Sequence, residues 1–282
     1  MARPLIMLSV VHVYVAGTLI ARAYGHPLNV AAFVCGLIVL LLVALSIHYT
    51  NEYADYETDA ITQRTLFSGG SGILPAGIVP RSVALWAAWI TLGMGSVLVV
   101  VAIALGALSA AVLPVLAIGA WGGWMYSLPP LKLAWRGWGE LDNALLGGIV
   151  LSLYGYVVQS DQFDWRVVLG CLPFTGLAFL NLLATTWVDR RADAQVGKRT
   201  LATRWSPTRL RRLYTVVALL SFGLLVLLHD HVLPPEVIAA SLLALPFVAW
   251  GILRYTRTEA PHHSVFAMLT LLSAQMLAWI VV

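Results

Sequence analysis

Leu28 to Thr50 runs LNVAAFVCGLIVLLLVALSIHYT, and at Asn51 it passes without a break into NEYADYETD, ending at Asp59. The first part holds no charged side chain over about the 20 apolar residues a helix needs to cross a bilayer core of about 30 Å. The second part places four acids in nine residues. An uncharged span that ends in a block of carboxylates sets both the fold and the place to look for chemistry.

Working outward with the same ruler gives further spans at 5–23, 82–104, 107–128, 141–159, 165–187, 209–228, 236–254 and 265–282, nine in all. The apolar runs are continuous, whereas barrel strands alternate and are about half as long, so the spans are helices. The expected fold is all-α: one domain over 1–282, a polytopic bundle of nine transmembrane helices around a central cavity. Composition agrees, with 60% apolar and 11% charged residues, against about 45–50% and 25% in soluble domains. A soluble domain of this size has too much surface to hide so many apolar side chains. Disorder, collagen and a disulfide scaffold are excluded as well, since the two cysteines, Cys35 and Cys171, lie inside apolar runs.

The first span resembles a secretory signal, with Arg3 ahead of Leu5–Ile20 and then Ala21-Arg22-Ala23. Its apolar stretch is long for a signal, and His12 and Tyr14 interrupt it, so a retained helix is expected. With the N-terminus in the cytoplasm, 15 of the 17 lysines and arginines fall on the cytoplasmic side, leaving Arg22 and Arg166 outside. That asymmetry fixes the expected orientation. The net charge of +4 is then a topology and anionic-lipid signal, not a nucleic-acid footprint.

The same topology puts two acid clusters on one face of the membrane. Asn51, Asp55 and Asp59 repeat every four residues after the second span, and Asp189 and Asp193 do so after the sixth. Like charges at that spacing repel along a helix, and incomplete hydration at a membrane boundary raises the cost. A cation between them offsets it. Oxygen ligands from two facing helices suit magnesium, which completes its shell with water and phosphate. Basic residues follow both clusters: Arg64 in QRTLFSGGSG, and Lys198 and Arg199 in GKRT. Carboxylates that hold magnesium, beside arginine and lysine, form a site for a diphosphate. Tyr126 and Lys132 lie in YSLPPLKLAWRGWGE, whose paired prolines end a helix. Trp135 and Trp138 there read as interface anchors. Glu57 reads as a solvated helix-end acid, His48 as a packed histidine, and His262 with His263 make too few ligands for a metal.

These residues resemble the UbiA superfamily of intramembrane aromatic prenyltransferases. The first family motif, Asn-Asp-x-x-Asp-x-x-x-Asp, is matched by Asn51, Glu52, Asp55 and Asp59. The second, Asp-x-x-x-Asp followed by Gly-Lys-x-Thr, is matched by Asp189, Asp193, Gly197, Lys198 and Thr200. Glu52 stands where the family has Asp, which keeps the carboxylate on a longer stem. The resemblance implies a polyprenyl diphosphate donor and an aromatic acceptor held in the bundle. It also implies magnesium on Asp55, Asp59, Asp189 and Asp193 with Asn51, the last also positioning the diphosphate. Arg64, Lys198 and Arg199 would bind the diphosphate oxygens, with Tyr126 and Lys132 close by.

Residues 65–71 and 197–201 look most like the dihydroxynaphthoate branch, while Tyr126 to Leu133 looks more like chlorophyll synthase. A quinone-precursor ring is the expected acceptor, with a tetrapyrrole as the alternative. Two other classes compete. A cation- or proton-coupled transporter also carries intramembrane acids, but its site would lie near the midplane in repeated halves, and no repeat is found. A non-catalytic scaffold has no use for two costly acid pairs.

Overall fold

The computed structural model describes residues 3–62 and 69–282, and within them no strand occurs. The helices are α1 (Pro4–Ala23), α2 (Val30–Ala54), α3 (Tyr56–Ile61), α4 (Arg81–Ala104), α5 (Val112–Ser127), α6 (Leu133–Arg136) and α7 (Gly139–Leu145). After them come α8 (Leu151–Ser160), α9 (Trp165–Gln195), α10 (Leu201–Arg204), α11 (Pro207–Leu227), α12 (Pro235–Ser241), α13 (Leu245–Arg254) and α14 (His262–Val281). A π-helical turn joins α7 to α8, and a 3-10 turn joins α12 to α13, so each pair forms one composite rod. Among the described residues eight rods are long and apolar enough to cross a membrane, and α5 is a ninth, shorter apolar helix.

Local chemistry sets the ends. The Asn29 side chain accepts from the Ala32 amide at 3.0 Å and opens α2, and Asp164 accepts from the Arg166 amide at 2.8 Å and opens α9. Both use the preferred N-cap residues to satisfy an amide that the helix leaves unpaired. The fourth span departs from expectation. It starts at Val112, not at 107, because Gly106 (φ +72°) takes the left-handed conformation and its amide bonds Ile103 O. That geometry closes α4 and leaves 107–111 as a connection. The sixth span also departs, since α9 continues as helix to Gln195, 31 residues in all. At 1.5 Å per residue it is about 46 Å long, so its last turns stand clear of a core of about 30 Å and lift Asp189 and Asp193 to one end of the bundle.

α1 packs along α8 and α14. Tyr14 on α1 is fully buried, and its hydroxyl donates to Phe33 O at 2.8 Å. The first span, which looks like a signal, is therefore part of the packed bundle. One apolar core gathers α1, α2 and α8, and a second gathers α9, α11 and α14. Cys35 and Cys171 are both free, Cys171 buried within the first core. The outward faces are apolar too, with Trp86, Ile90, Val97, Leu219 and Val226 all exposed. Large exposed apolar belts on helices whose backbone groups bond internally are what a lipid solvent requires.

Candidate functional site

The first acid cluster sits where α2 stops. The helix runs past the expected end of the span at 50 to Ala54, turns at Asp55 and restarts as α3. Two bonds keep the register through that joint: Asp55 N to Asn51 O and Asp59 N to Asp55 O, both 2.8 Å. The three side chains therefore stay on one face. The Asn51 amide Nδ2 donates to Asp55 Oδ2 at 2.9 Å and reaches Ser127 Oγ on α5 at 3.4 Å.

Glu52 turns elsewhere. Its carboxylate accepts from the Ser71 amide at 2.7 Å and the Ser71 hydroxyl at 2.5 Å, and lies 3.6 Å from Arg3 Nε. It is 2% exposed and ties the Gly-rich segment to the end of α2. The longer stem that separates it from the family aspartate thus serves a loop contact.

Asp59 lies directly beneath that segment. A Cβ placed on Gly70 would stand 1.9 Å from Asp59 Oδ2, and Gly70 has φ +63°. Only glycine gives both the close approach and the backbone conformation. Burial, and then the neighbouring Asp55 carboxylate, push the Asp59 carboxyl up to about 7. Gly70→Ala is expected to displace Asp59 and to cut turnover by about 100-fold, as a shift of about 1 Å in a catalytic group does. Steady-state kinetics on the detergent-purified variant check it.

The second cluster is joined to the first by one lysine. Beyond α9, Gly197 (φ +77°) reverses the chain and the Lys198 amide bonds Asp193 O at 2.8 Å. The Lys198 side chain folds back so that Nζ lies 3.1 and 3.2 Å from the two Asp55 oxygens and 3.7 Å from Asp193 Oδ1. Burial alone would lower the pKa of this ammonium, but the Asp55 and Asp193 carboxylates outweigh it and raise it. Asp189 lies one turn before Asp193 on α9. A single cation therefore bridges carboxylates from the ends of α2 and α9, at one end of the bundle.

The donors fit a hard divalent cation. They are all oxygens, they come from two facing elements, and the position of Lys198 Nζ marks where their negative charge converges. Among the described residues no group of three or more acid, histidine or cysteine side chains is arranged to hold a metal ion by itself. An ion here would take one or two carboxylates and complete its shell with water and phosphate, as magnesium does.

Other expected residues separate. Tyr126 lines a small cavity with Lys198, Glu140, Thr186 and Thr200, next to the bridge. Lys132 has φ +47° and holds its Nζ 5.5 Å from the centre of the Trp135 ring, on a neighbouring wall. Arg199 is exposed, and its amide, not its side chain, reaches Trp135 O at 3.2 Å. Arg64 lies outside the described residues. Trp138 is 59% exposed, as an interface anchor would be. Trp135 is not placed as one: its ring packs against Lys132 and, at 5.9 Å, Lys198. Glu57 is exposed. His263 is buried against Ser264, with Nδ1 at 2.8 Å from Oγ, a packed histidine.

Three contributors escaped the motif reading. Ser127 touches Asn51. Glu140, 2% exposed, accepts from the Leu201 amide at 2.8 Å and secures the turn after Lys198. Arg190 grips Glu259 with two bonds of 2.7 Å and stacks on Trp187, fixing the end of α9 from the side. Glu140 could have been found as an acid opening an apolar span, whereas Ser127 and Arg190 carry no sequence signal.

Two acid pairs closed by one buried lysine can now be set beside known proteins. The model of the UbiA prenyltransferase family matches residues 10–274. The chain belongs to the UbiA prenyltransferase family. It is 26% identical to a 1,4-dihydroxy-2-naphthoate octaprenyltransferase of Bacillus subtilis, over 66% of this chain and 58% of that protein. It is 29% identical to a 1,4-dihydroxy-2-naphthoate octaprenyltransferase of Mycobacterium leprae, over 76% of this chain and 70% of that one. The chain thus aligns with less than two thirds of the Bacillus protein's length. Its fold is shared with a UbiA homologue from Archaeoglobus fulgidus bound to GPP and Mg2+, at a TM-score of 0.70 and 15% identity, covering 98% of each chain. UbiA membership favours a prenyltransferase over the transporter and scaffold readings.

Proposed function

We propose that this UbiA protein moves a polyprenyl group from an allylic diphosphate to an aromatic quinone precursor, with a naphthoate-type ring as acceptor. The observation that carries the reading is the Lys198 bridge, which brings Asp55 and Asp193, far apart in the sequence, to one cation. The Bacillus and Mycobacterium relatives support the naphthoate ring as acceptor, and the GPP- and Mg2+-bound homologue supports a diphosphate donor with magnesium.

Asp55 and Asp59 on one side, and Asp189 and Asp193 on the other, would hold magnesium, with Asn51 oriented by Asp55 and Ser127 toward the diphosphate. When bound, magnesium would stabilise the departing diphosphate and so assist ionisation of the allylic carbon–oxygen bond. Lys198 adds a fixed positive charge between the two pairs, in place before reaction and therefore without reorganisation cost. Arg64 and Arg199 would bind the diphosphate oxygens, as the family resemblance implies. Tyr126 faces the same space from α5. The apolar bundle below keeps water from the allylic centre, which water would quench. The acceptor ring, held against that carbon, gains most of its advantage from proximity. The polyprenyl tail leaves between helices into lipid, and the site faces the cytoplasm.

A mass-spectrometric acceptor screen tests the reading. Purified protein receives magnesium, geranylgeranyl diphosphate and a panel of dihydroxynaphthoate, hydroxybenzoate, homogentisate, chlorophyllide and haem. The expected result is prenylated naphthoate that vanishes with EDTA and returns with added magnesium. Product from chlorophyllide alone would move the acceptor to the tetrapyrrole class. No product and no diphosphate release from folded protein would overturn the proposal.

A further inference from the structure

Glu140 stands in the first turn of α7, 2% exposed, and belongs to neither acid pair. A carboxylate buried to that degree at a membrane edge is costly unless it is partnered. Its Oε1 accepts from the Leu201 amide at 2.8 Å, across 61 positions of sequence, while its Oε2 finds no hydrogen-bond partner among the described residues. Leu201 is the first residue of α10, so its amide is one that the short helix itself leaves unpaired. Lys198 lies three positions earlier and shares a small cavity with the Glu140 side chain.

Three bonds fasten the backbone from Lys198 to Leu201 to other elements. Lys198 N reaches Asp193 O on α9 at 2.8 Å, Arg199 N reaches Trp135 O on α6 at 3.2 Å, and Leu201 N reaches Glu140 on α7. Two of the three partners thus lie on the stretch from Trp135 to Glu140. That stretch presses closely on the turn, for a Cβ on Gly137 would stand 2.9 Å from Arg199 O. A lysine carries its ammonium on a flexible four-carbon stem, so the place of Nζ depends on how firmly the backbone beneath it is held. We propose that Glu140 is the positioning residue for Lys198, holding the turn at Leu201 so that Nζ stays between Asp55 and Asp193. The competing role is a direct part in the reaction, as a proton acceptor or metal ligand. A direct role needs the charge of Glu140, whereas positioning needs only an acceptor oxygen at Oε1. The consequence for turnover rests on the proposed prenyl transfer; the place of Lys198 does not.

Amine labelling of the metal-free protein separates that place from the reaction. The chain has two lysines, Lys132 and Lys198, so mass spectrometry after acetic anhydride treatment reads each of them. Lys198 is expected to react slowly in the unaltered protein, being 9% exposed and ion-paired. Glu140→Ala should raise its rate relative to Lys132 by about ten-fold, equivalent to about 1.4 kcal/mol of lost restraint. Glu140→Gln keeps an acceptor oxygen for the Leu201 amide and should keep both the protection and most of the turnover. Leu201→Pro removes the amide itself and should label like Glu140→Ala. Proline is tolerated at the first position of a helix, and Thr200 already has the extended backbone (φ −70°, ψ 167°) that a following proline demands. Leu201→Ala keeps the amide and should label like the unaltered protein. In kinetics with geranylgeranyl diphosphate, Glu140→Ala should lower kcat more than it raises the donor KM. It should lower kcat no further in a Lys198→Ala background, since a residue that acts through another is not additive with it. Should Glu140→Ala elute aggregated, Leu201→Pro carries the same comparison. Lys198 equally protected in the folded variants, or a rise of the same factor at Lys132, would overturn the proposal. So would loss of turnover in Glu140→Gln with Lys198 still protected, which marks a direct role. Labelling as expected in a protein that transfers no prenyl group would leave the positioning standing and remove the proposed function. Transfer with unchanged labelling would do the reverse.

Discussion

Asp193→Asn is expected to lower kcat for prenyl transfer by at least about 100-fold, the scale on which removing one charge-stabilising group slows a reaction. The substitution keeps the shape of the side chain and removes its charge. Asp193 is 2% exposed, and its Oδ1 lies 3.7 Å from Lys198 Nζ. Losing that charge would weaken the proposed hold on a divalent cation and leaves Lys198 paired with Asp55 alone. The fold should persist, since the backbone turn runs through Asp193 O and the Lys198 amide, which the substitution leaves intact. Asp55→Asn should behave likewise, because Asp55 accepts both from Lys198 and from Asn51. Kinetics with saturating donor and a circular-dichroism melt check the pair. Near-normal turnover in either folded variant would remove both carboxylates from the reaction.

Lys198→Ala should act first on stability. It deletes the only bridge among the described residues between the ends of α2 and α9, and it leaves buried carboxylates without their counter-charge. Breaking a buried pair from one side costs about 3–5 kcal/mol. At about 2–4 °C per kcal/mol for a chain of this class, the thermal midpoint in EDTA should fall by about 10 °C. Magnesium together with a prenyl diphosphate should recover much of that loss, because a divalent ion replaces the missing charge. Transfer should stay low even then, since the fixed cation proposed to face the diphosphate is gone. A midpoint unchanged in EDTA would show that the bridge is not an energetic tie.

Most of the bundle is legible in the sequence because lipid imposes a simple rule: about 20 apolar residues per crossing. The rule says less about where a rod bends. Gly106, through its φ, keeps 107–111 out of the next helix so that α5 starts late, and α7 passes into α8 through a π-helical turn at Leu146–Val150. Hydropathy sees neither, since both segments are apolar throughout. Asp55 and Asp193 were legible because charge is rare in this chain and costly at a membrane edge. Lys198 was legible as the lysine of the second motif and a diphosphate ligand, not as a bridge between the two clusters. Its reach back to Asp55, 143 positions away, depends on the turn at Gly197 and on the length of α9. Glu52 looked like a conservative exchange and is instead the anchor of Ser71. Trp135 looked like a lipid anchor, because an aromatic beside prolines at a span end reads that way. Its position between Lys132 and Lys198 arises only from tertiary packing.

The most direct test of the two-pair site is manganese paramagnetic resonance, with Mn2+ in place of magnesium and geranyl diphosphate present. The unaltered protein is expected to hold Mn2+ with a resolved phosphorus coupling, and the Asp55→Asn/Asp193→Asn double variant to lose both the bound ion and the coupling. Equal Mn2+ binding and equal coupling in the folded double variant would contradict the assignment of the metal and the diphosphate to these carboxylates.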